Sequence, residues 1–178
     1  MVATEGIRWR VTSEAEIEVV FSSVFDDVHR YASRLAGSDR SLAEDLVQDA
    51  FVGLVRAVRN GDVDEVSIGW LLVSVRNRFH DHVRRERSAR RVGRLRAVRD
   101  GDASPGPGDT DQALGMASAA LASLGAEERL VLVLHHVDGR SVREVAATIG
   151  KSVHATESIL ARARGVARAA VRRERDHD

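Results

Sequence analysis

Apolar residues return at steps of three and four along most of the chain, the spacing of helices with one buried side. Ile17, Val20, Phe21, Val24, Phe25, Val28, Tyr31, Ala32 and Leu35 mark a long first helix that ends near Gly37. Ser41 then opens a second helix, with Glu44 three residues on as a capping box. Leu46, Val47, Ala50, Phe51, Leu54, Val55 and Val58 form its buried stripe, and Asn60-Gly61 stops it. An acidic loop from Asp62 to Glu65 leads to a third helix starting near Ser67, with Leu71, Val75, Phe79 and Val83 at four-residue steps. Arg76, Arg78, Arg84, Arg85, Arg87, Arg90 and Arg91 fill its other faces. No stretch alternates in the manner of a strand, and no internal repeat is visible.

The pattern breaks between Asp100 and Asp111, which holds both prolines of the chain and one Ala as its sole apolar residue. Such a segment buries too little surface to offset its ordering entropy and reads as a flexible linker. Beyond it, Leu114, Ala117, Leu121 and Leu124 predict one helix, and residues 126 to 137 another, closed by Asp138-Gly139. Ser141 to Ile149 is a short helix with a second capping box, Ser141 and Glu144. Gly150 turns the chain, and a last helix runs from Val153 to about Arg173. The predicted fold class is all-α: two small helical domains joined by a flexible linker, the C-terminal one a helix-turn-helix. The boundaries are 1–15 for an N-terminal extension, 16–95 and 113–175 for the domains, and 96–112 for the linker.

Composition narrows the possible functions. The chain has 178 residues and no Cys, which removes disulfide scaffolds, thiol catalysis and Cys-based zinc sites. No apolar run approaches the ~18 residues of a membrane span, and the N-terminus lacks an apolar signal core, so a cytoplasmic protein without membrane insertion is expected. Formal net charge is zero, 27 basic against 27 acidic residues, and Lys151 is the only lysine. The neutral sum conceals blocks. Residues 1–75 carry 7 basic and 13 acidic groups, net −6; residues 76–99 carry 10 and 2, net +8. Residues 100–139 carry 1 and 7, net −6; residues 140–178 carry 9 and 5, net +4. Arginine suits phosphate and guanine edges, although a GC-rich genome explains much of the Arg-for-Lys ratio.

Signals of catalysis and metal binding fail. Ile149-Gly150-Lys151-Ser152 resembles the end of a phosphate-binding loop, but Val145 stands where that loop requires Gly. His80 and His82 are two apart and His135 and His136 adjacent, so on a helix neither pair converges on a metal. Neither an enzyme, a metal site nor a cofactor is expected.

The sharpest local pattern is Ser141 to Arg164. A capped helix with the small Ala146 in its middle, a Gly turn and a second helix fit a helix-turn-helix. The N-terminal residues of the second helix then face base edges: His154, Ala155, Glu157 and Ser158, with Ala161 and Arg162 one turn later. Arg162, Arg164, Arg168, Arg172 and Arg173 supply phosphate contacts. The plainer alternative is an αα-hairpin inside a helical fold. The Arg-rich stretch 76–99 is a second nucleic-acid candidate, salt-dependent by nature. Trp70 and Phe79 are its available stacking aromatics, yet their phase with Leu71 and Val75 reads first as core.

Taken together, the two ends resemble an extracytoplasmic-function (ECF) sigma factor, a two-domain bacterial transcription initiation factor. The likeness runs over Phe21 to Arg91, strongest at Asp45-Leu-Val-Gln-Asp-Ala-Phe51, Trp70-Leu71, Asn77, Asp81 and Arg84-Arg85. It resumes over Ala120 to Arg168 with Leu124, Arg129, Leu134, Asp138-Gly139-Arg-Ser-Val-Arg-Glu-Val-Ala146 and Arg162-Ala163-Arg164.

The resemblance implies roles. Residues 45 to 57 resemble the helix that docks on the clamp helices of the large catalytic subunit of RNA polymerase, with Glu44, Asp45, Gln48 and Asp49 as its polar candidates. Trp70 to Arg91 resembles the segment that melts and reads the −10 promoter element. Asn77 is the leading base reader there, with Asp81 beside it, and Arg76, Arg84 and Arg85 are phosphate candidates. The loop 60–67 resembles one that receives a flipped base, where Asp62 or Asp64 would accept from a cytosine amino group. The helix-turn-helix resembles the −35 reader: His154, Glu157, Ser158, Ala161 and Arg162 toward bases, Arg164 and Arg168 toward the backbone. Three departures stand out. Glu157 sits where Lys or Arg is common, Ile159 where Arg is frequent, and Ser67 where an aromatic is usual. His154-Ala-Thr-Glu-Ser158 resembles a variant of actinobacterial-type members. The implied partners are core RNA polymerase (clamp helices and flap region), promoter DNA and an anti-sigma factor. The alternative is a helix-turn-helix regulator that binds duplex DNA through 140–175 without polymerase.

Overall fold

A computed structural model describes residues 8–93 and 120–175. The predicted linker at 96–112 and most of the predicted helix at 114–124 lie outside the described residues. Within them the order is β1 (Arg8–Arg10), α1 (Glu14–Ala36), α2 (Arg40–Arg59), β2 (Glu65–Ser67), α3 (Ile68–Gly93), α4 (Ala126–His136), α5 (Val142–Ile149) and α6 (Val153–Arg175). The helical class expected from periodicity holds. The chain divides into two compact units, one from residues 1–33 and 40–81, the other from residues 34–39 and 82–178.

In the first unit the apolar stripes are mostly buried. Val20, Val24 and Val28 of α1, Leu46, Ala50 and Leu54 of α2, and Leu71, Val75 and Phe79 of α3 are all nearly or fully inaccessible. Val83, one turn further along α3 and already part of the second unit, is buried as well. Gly37 ends α1 with φ of +70°, a conformation that costs a Cβ-bearing residue. Two parts of the predicted stripes stay open. Phe21 is 41% exposed and Phe25 and Val55 are half-buried, because α1 and α2 leave a groove between them; Val58 is half-buried as well.

Two further expectations need correction. Ser41 is not the cap of α2. The helix begins at Arg40, which places Asp39, a favoured N-cap residue type, one step ahead. Glu44 instead meets the Arg40 Nε at 3.3 Å. Strands also exist. β1 and β2 pair antiparallel with Trp9 opposite Val66, and the Val11 amide donates to the Asp64 carbonyl at 2.8 Å. Three-residue strands are too short to leave an alternating signature. Part of their apolar surface comes from Val66, which is 1% exposed just after the acidic Asp64 and Glu65.

In the second unit α4, α5 and α6 surround Leu130, Val131, Val133, Leu134, Val145, Ala146, Ile149, Ile159, Leu160 and Ala163. Ala146, the small residue expected inside the helix-turn-helix, is 2% exposed. The predicted cap of α5 forms fully: the Glu144 amide donates to Ser141 Oγ at 3.3 Å, and the Ser141 amide donates to Glu144 Oε2 at 2.9 Å. That arrangement holds the Glu144 carboxyl below the usual range, first through the Ser141 hydroxyl. Gly150 follows in the left-handed region, φ 65° and ψ 41°.

Candidate nucleic-acid interface

The short turn after Gly150 aims α6. Ser152 Oγ accepts from the Ala155 amide at 3.2 Å and fixes the first turn of the helix. Thr156 is fully buried because its hydroxyl donates back to the Ser152 carbonyl at 3.0 Å. With Thr156, Ile159, Leu160 and Ala163 inside, the opposite side is set by helical phase. His154, Glu157, Ser158, Ala161, Arg162 and Arg168 are all exposed on it. The sequence-predicted readers therefore share one stripe. Arg164 does not; it is half-buried, and its Nε donates to His136 Nε2 of α4 at 3.2 Å. Arg162 stays exposed, with its Nε 3.2 Å from Glu128 Oε1. Ile159, the departure from the family pattern, is a core residue here at 5% exposure.

The His136 contact has an electrostatic consequence. Burial, then His135 and Arg164, lower its pKa, so the neutral ring is favoured. Its Nε2 then accepts from Arg164 while Nδ1 keeps the proton. His135 Nδ1 lies 2.7 Å from the Arg140 carbonyl and secures the loop into α5. Arg129, singled out by the family likeness, is buried enough that desolvation lowers its pKa. It closes the preceding turn by donating to the Leu124 carbonyl at 2.8 Å.

On α3 the exposed positions include Val73, Asn77, Arg78, Asp81, Arg84 and Arg85. Asn77, Asp81, Arg84 and Arg85 recur at i, i+4, i+7 and i+8 and form one stripe. Arg76 is half-buried beside it. Phe79 is fully buried, which removes it as a stacking platform; Trp70 is half-buried. Asp62 and Asp64 are both exposed, in a loop bent by Gly61 at φ +72°. Sequence reading missed what holds this loop: the β1–β2 pairing and an Arg8–Glu65 contact of 3.5 Å.

On α2, Glu44, Asp45, Gln48 and Asp49 are all exposed on one side. Asp49 faces Arg78 at a loose 4.0 Å. Next to them lies the groove, about 960 Å³, where Phe21 meets Phe51 edge-on at 4.8 Å and Val52 is 39% exposed. Periodicity alone assigns Phe21 and Phe51 to the core; Phe51 is indeed buried at 7% exposure, whereas Phe21 is open. Periodicity marks an apolar side but not whether anything in the same chain covers it.

Residues 20–89 match the family model for Sigma-70 region 2, and residues 114–165 match Sigma-70, region 4. The ECF RNA polymerase sigma factor SigL of Mycobacterium tuberculosis is 32% identical over 152 residues, 79% of this chain and 83% of the relative. The chain belongs to the ECF RNA polymerase sigma factors. The probable ECF sigma factor SigI of the same species is 36% identical over 141 residues, 75% of this chain and 48% of SigI. The sigma factor thus spans about half the length of that relative. Its fold is shared with the sigma factor RpoE of Bartonella quintana, solved in complex with the anti-sigma factor NepR, at a TM-score of 0.50 and 22% identity. That likeness covers 88% of this chain and 97% of RpoE. Among the described residues no helix is long and apolar enough to cross a membrane, and no group of metal-ligating side chains forms.

Proposed function

We propose that this sigma factor binds core RNA polymerase and directs it to promoters, without chemistry of its own. Domain 16–95 docks and reads the −10 element, domain 113–175 reads the −35 element, and 96–112 joins them. Joining the domains raises the effective concentration of the second once the first is bound. Glu44, Asp45, Gln48 and Asp49 contact the clamp helices. Asn77 and Asp81 read the −10 element with Asp62 or Asp64 at an extruded base, and Arg76, Arg84 and Arg85 take phosphates. His154, Glu157, Ser158, Ala161 and Arg162 read the −35 element, with Arg164 and Arg168 on its backbone. An anti-sigma factor masks the docking surfaces, and the protein works in the cytoplasm. We assign it to the actinobacterial type, a reading favoured by its arginine bias.

The observation that carries this reading is the stripe of exposed polar residues on α6, built on a capped helix-turn-helix, in a chain that also exposes the acidic face of α2. A regulator acting on duplex DNA alone has no use for that second face. The test is transcription from a promoter library with core polymerase, followed by transcript sequencing. Stimulated initiation at a common motif is expected. Tight duplex binding by the protein alone, with no stimulated initiation, overturns the proposal.

A further inference from the structure

The leading half of the α6 stripe differs from an ordinary phosphate-gripping surface. From Val153 to Ala161 there is no Lys or Arg, and the formal charge is that of Glu157. Without a cation, this stretch takes no share of the counterion-release affinity for phosphate; what it adds in sequence preference comes from base edges.

Val153 is an apolar residue left open on this helix. It is 42% exposed at the first position of α6, while Ile159, Leu160 and Ala163 of the same helix are buried. It does not cap the helix, because Ser152 does. Nor is it favoured there by propensity, since a β-branched side chain loses χ1 freedom in a helix. It is three and seven residues ahead of the buried Thr156 and Leu160, so it lies where the buried side ends; it also precedes His154 and lies one helical turn, about 6 Å, ahead of Glu157, at the edge of the reading stripe. In a helix-turn-helix the N-terminal residues of the second helix are those that reach bases. The apolar group that a base pair presents in the major groove is the thymine 5-methyl.

We propose that Val153 is a specificity-determining residue that reads the 5-methyl group of a thymine in the −35 element. The inference rests on the assignment of α6 to that element. Contact between the Val153 methyls and the thymine methyl removes both from water, a gain that cytosine and the purines do not offer.

The experiment uses the full chain. A duplex library randomised over the −35 region is selected for binding, with and without core polymerase. Each thymine of the selected element is then replaced singly by deoxyuridine, which lacks only the methyl. One replacement is expected to weaken binding by about fourfold, the worth of one buried methyl. Val153→Ser binds the thymine and deoxyuridine duplexes equally, and Val153→Thr, which keeps one γ-methyl, retains part of the preference. Helicity by circular dichroism shows both variants folded, as an exposed first-turn position predicts. The inference is overturned if the element holds no thymine, if no replacement weakens binding, or if Val153→Ser still prefers thymine. Failure to select any duplex overturns the −35 assignment itself, and this inference with it. A selected element whose thymine methyls make no difference overturns the inference alone.

Discussion

α3 and α6 each expose a stripe of polar residues over a buried apolar side, yet they distribute cations in different ways. On α3 the base-reading candidates and the cations are interleaved: Asn77 is followed directly by Arg78, and Asp81 within about one turn by Arg84 and Arg85. On α6 they are separated. No cation occurs from Val153 to Ala161, and the first two after it are engaged by α4, Arg162 by Glu128 and Arg164 by His136. Under the proposed function, the contrast gives a chain of zero net charge two DNA surfaces of unlike physics. One grips by charge and loses strength with salt. The other reads by contact, with its cations already positioned by neighbouring side chains.

The largest effects should come from the cores beneath the two stripes. Phe79 is fully buried under the α3 stripe, and Phe79→Ala is expected to cost about 3–5 kcal/mol of unfolding free energy. Leu134 is fully buried in α4, and Leu134→Ala is expected to cost about 2–5 kcal/mol. Urea titration measures both. If each stripe depends on the core beneath it, Phe79→Ala abolishes −10 binding and leaves −35 duplex binding, while Leu134→Ala does the reverse. Loss of both activities in either variant would erase the comparison.

Next in size are the stripes themselves. Arg162→Ala is expected to lose about 1–3 kcal/mol of −35 affinity and to relax preference at one base pair, if its guanidinium makes a bidentate base contact. Arg84→Ala should weaken −10 binding across all sequences and lower the slope of log affinity against log salt by about 1. Filter binding at a series of salt concentrations separates the two. A uniform, salt-linked loss in Arg162→Ala would show that α6 works as α3 does.

Ser141→Ala comes third. It removes the hydroxyl that accepts from the Glu144 amide, and a lost cap costs about 0.5–2 kcal/mol. The helix-turn-helix should lose stability with no change in base preference, measured by urea titration and by the selected motif. An altered motif would mean that the cap also sets how α6 is aimed.

The helices were legible from the sequence because their stripes are long. On α3, Leu71, Val75, Phe79 and Val83 repeat at every turn and all prove buried. The capping box at Ser141 and Glu144 and the left-handed Gly150 were legible for a similar reason, each being fixed by local chemistry. What could not be read depended on distant residues. Trp9 pairs with Val66 from far along the chain, and nothing near either one announces it. Phe21 sits in phase with a core stripe and is nonetheless open, because burial depends on whether another element covers it. The same holds for the reading stripes. Helical phase places Glu157, Ser158 and Arg162 together, but the partners Glu128 and His136 come from a separate helix and leave no local sign.

The smallest expected effect is on pH dependence, and it sharpens the contrast between the units. Each holds a carboxylate below its ordinary range. Glu16 in the first is held mainly by the Thr12 backbone amide, Glu144 in the second mainly by the Ser141 hydroxyl. For both, the stabilising contribution is present above the unfolded value near 4.5 and is lost as pH falls through the lower folded value. His136 acts earlier. Its pKa is lowered in the folded chain, so the unfolded chain binds a proton first as pH drops. Its contribution is complete above about 6.5 and shrinks as pH falls below that value. Protonation also turns Nε2 from acceptor to donor and ends the Arg164 contact. The two tryptophans, Trp9 and Trp70, both lie in the first unit, so fluorescence follows that unit while far-ultraviolet dichroism follows both. Between about pH 7.5 and 5.5 the dichroism midpoint should fall more than the fluorescence midpoint, and His136→Gln should remove most of that difference. Equal shifts by the two probes, or a difference that survives His136→Gln, would place the pH response outside the His136–Arg164 contact.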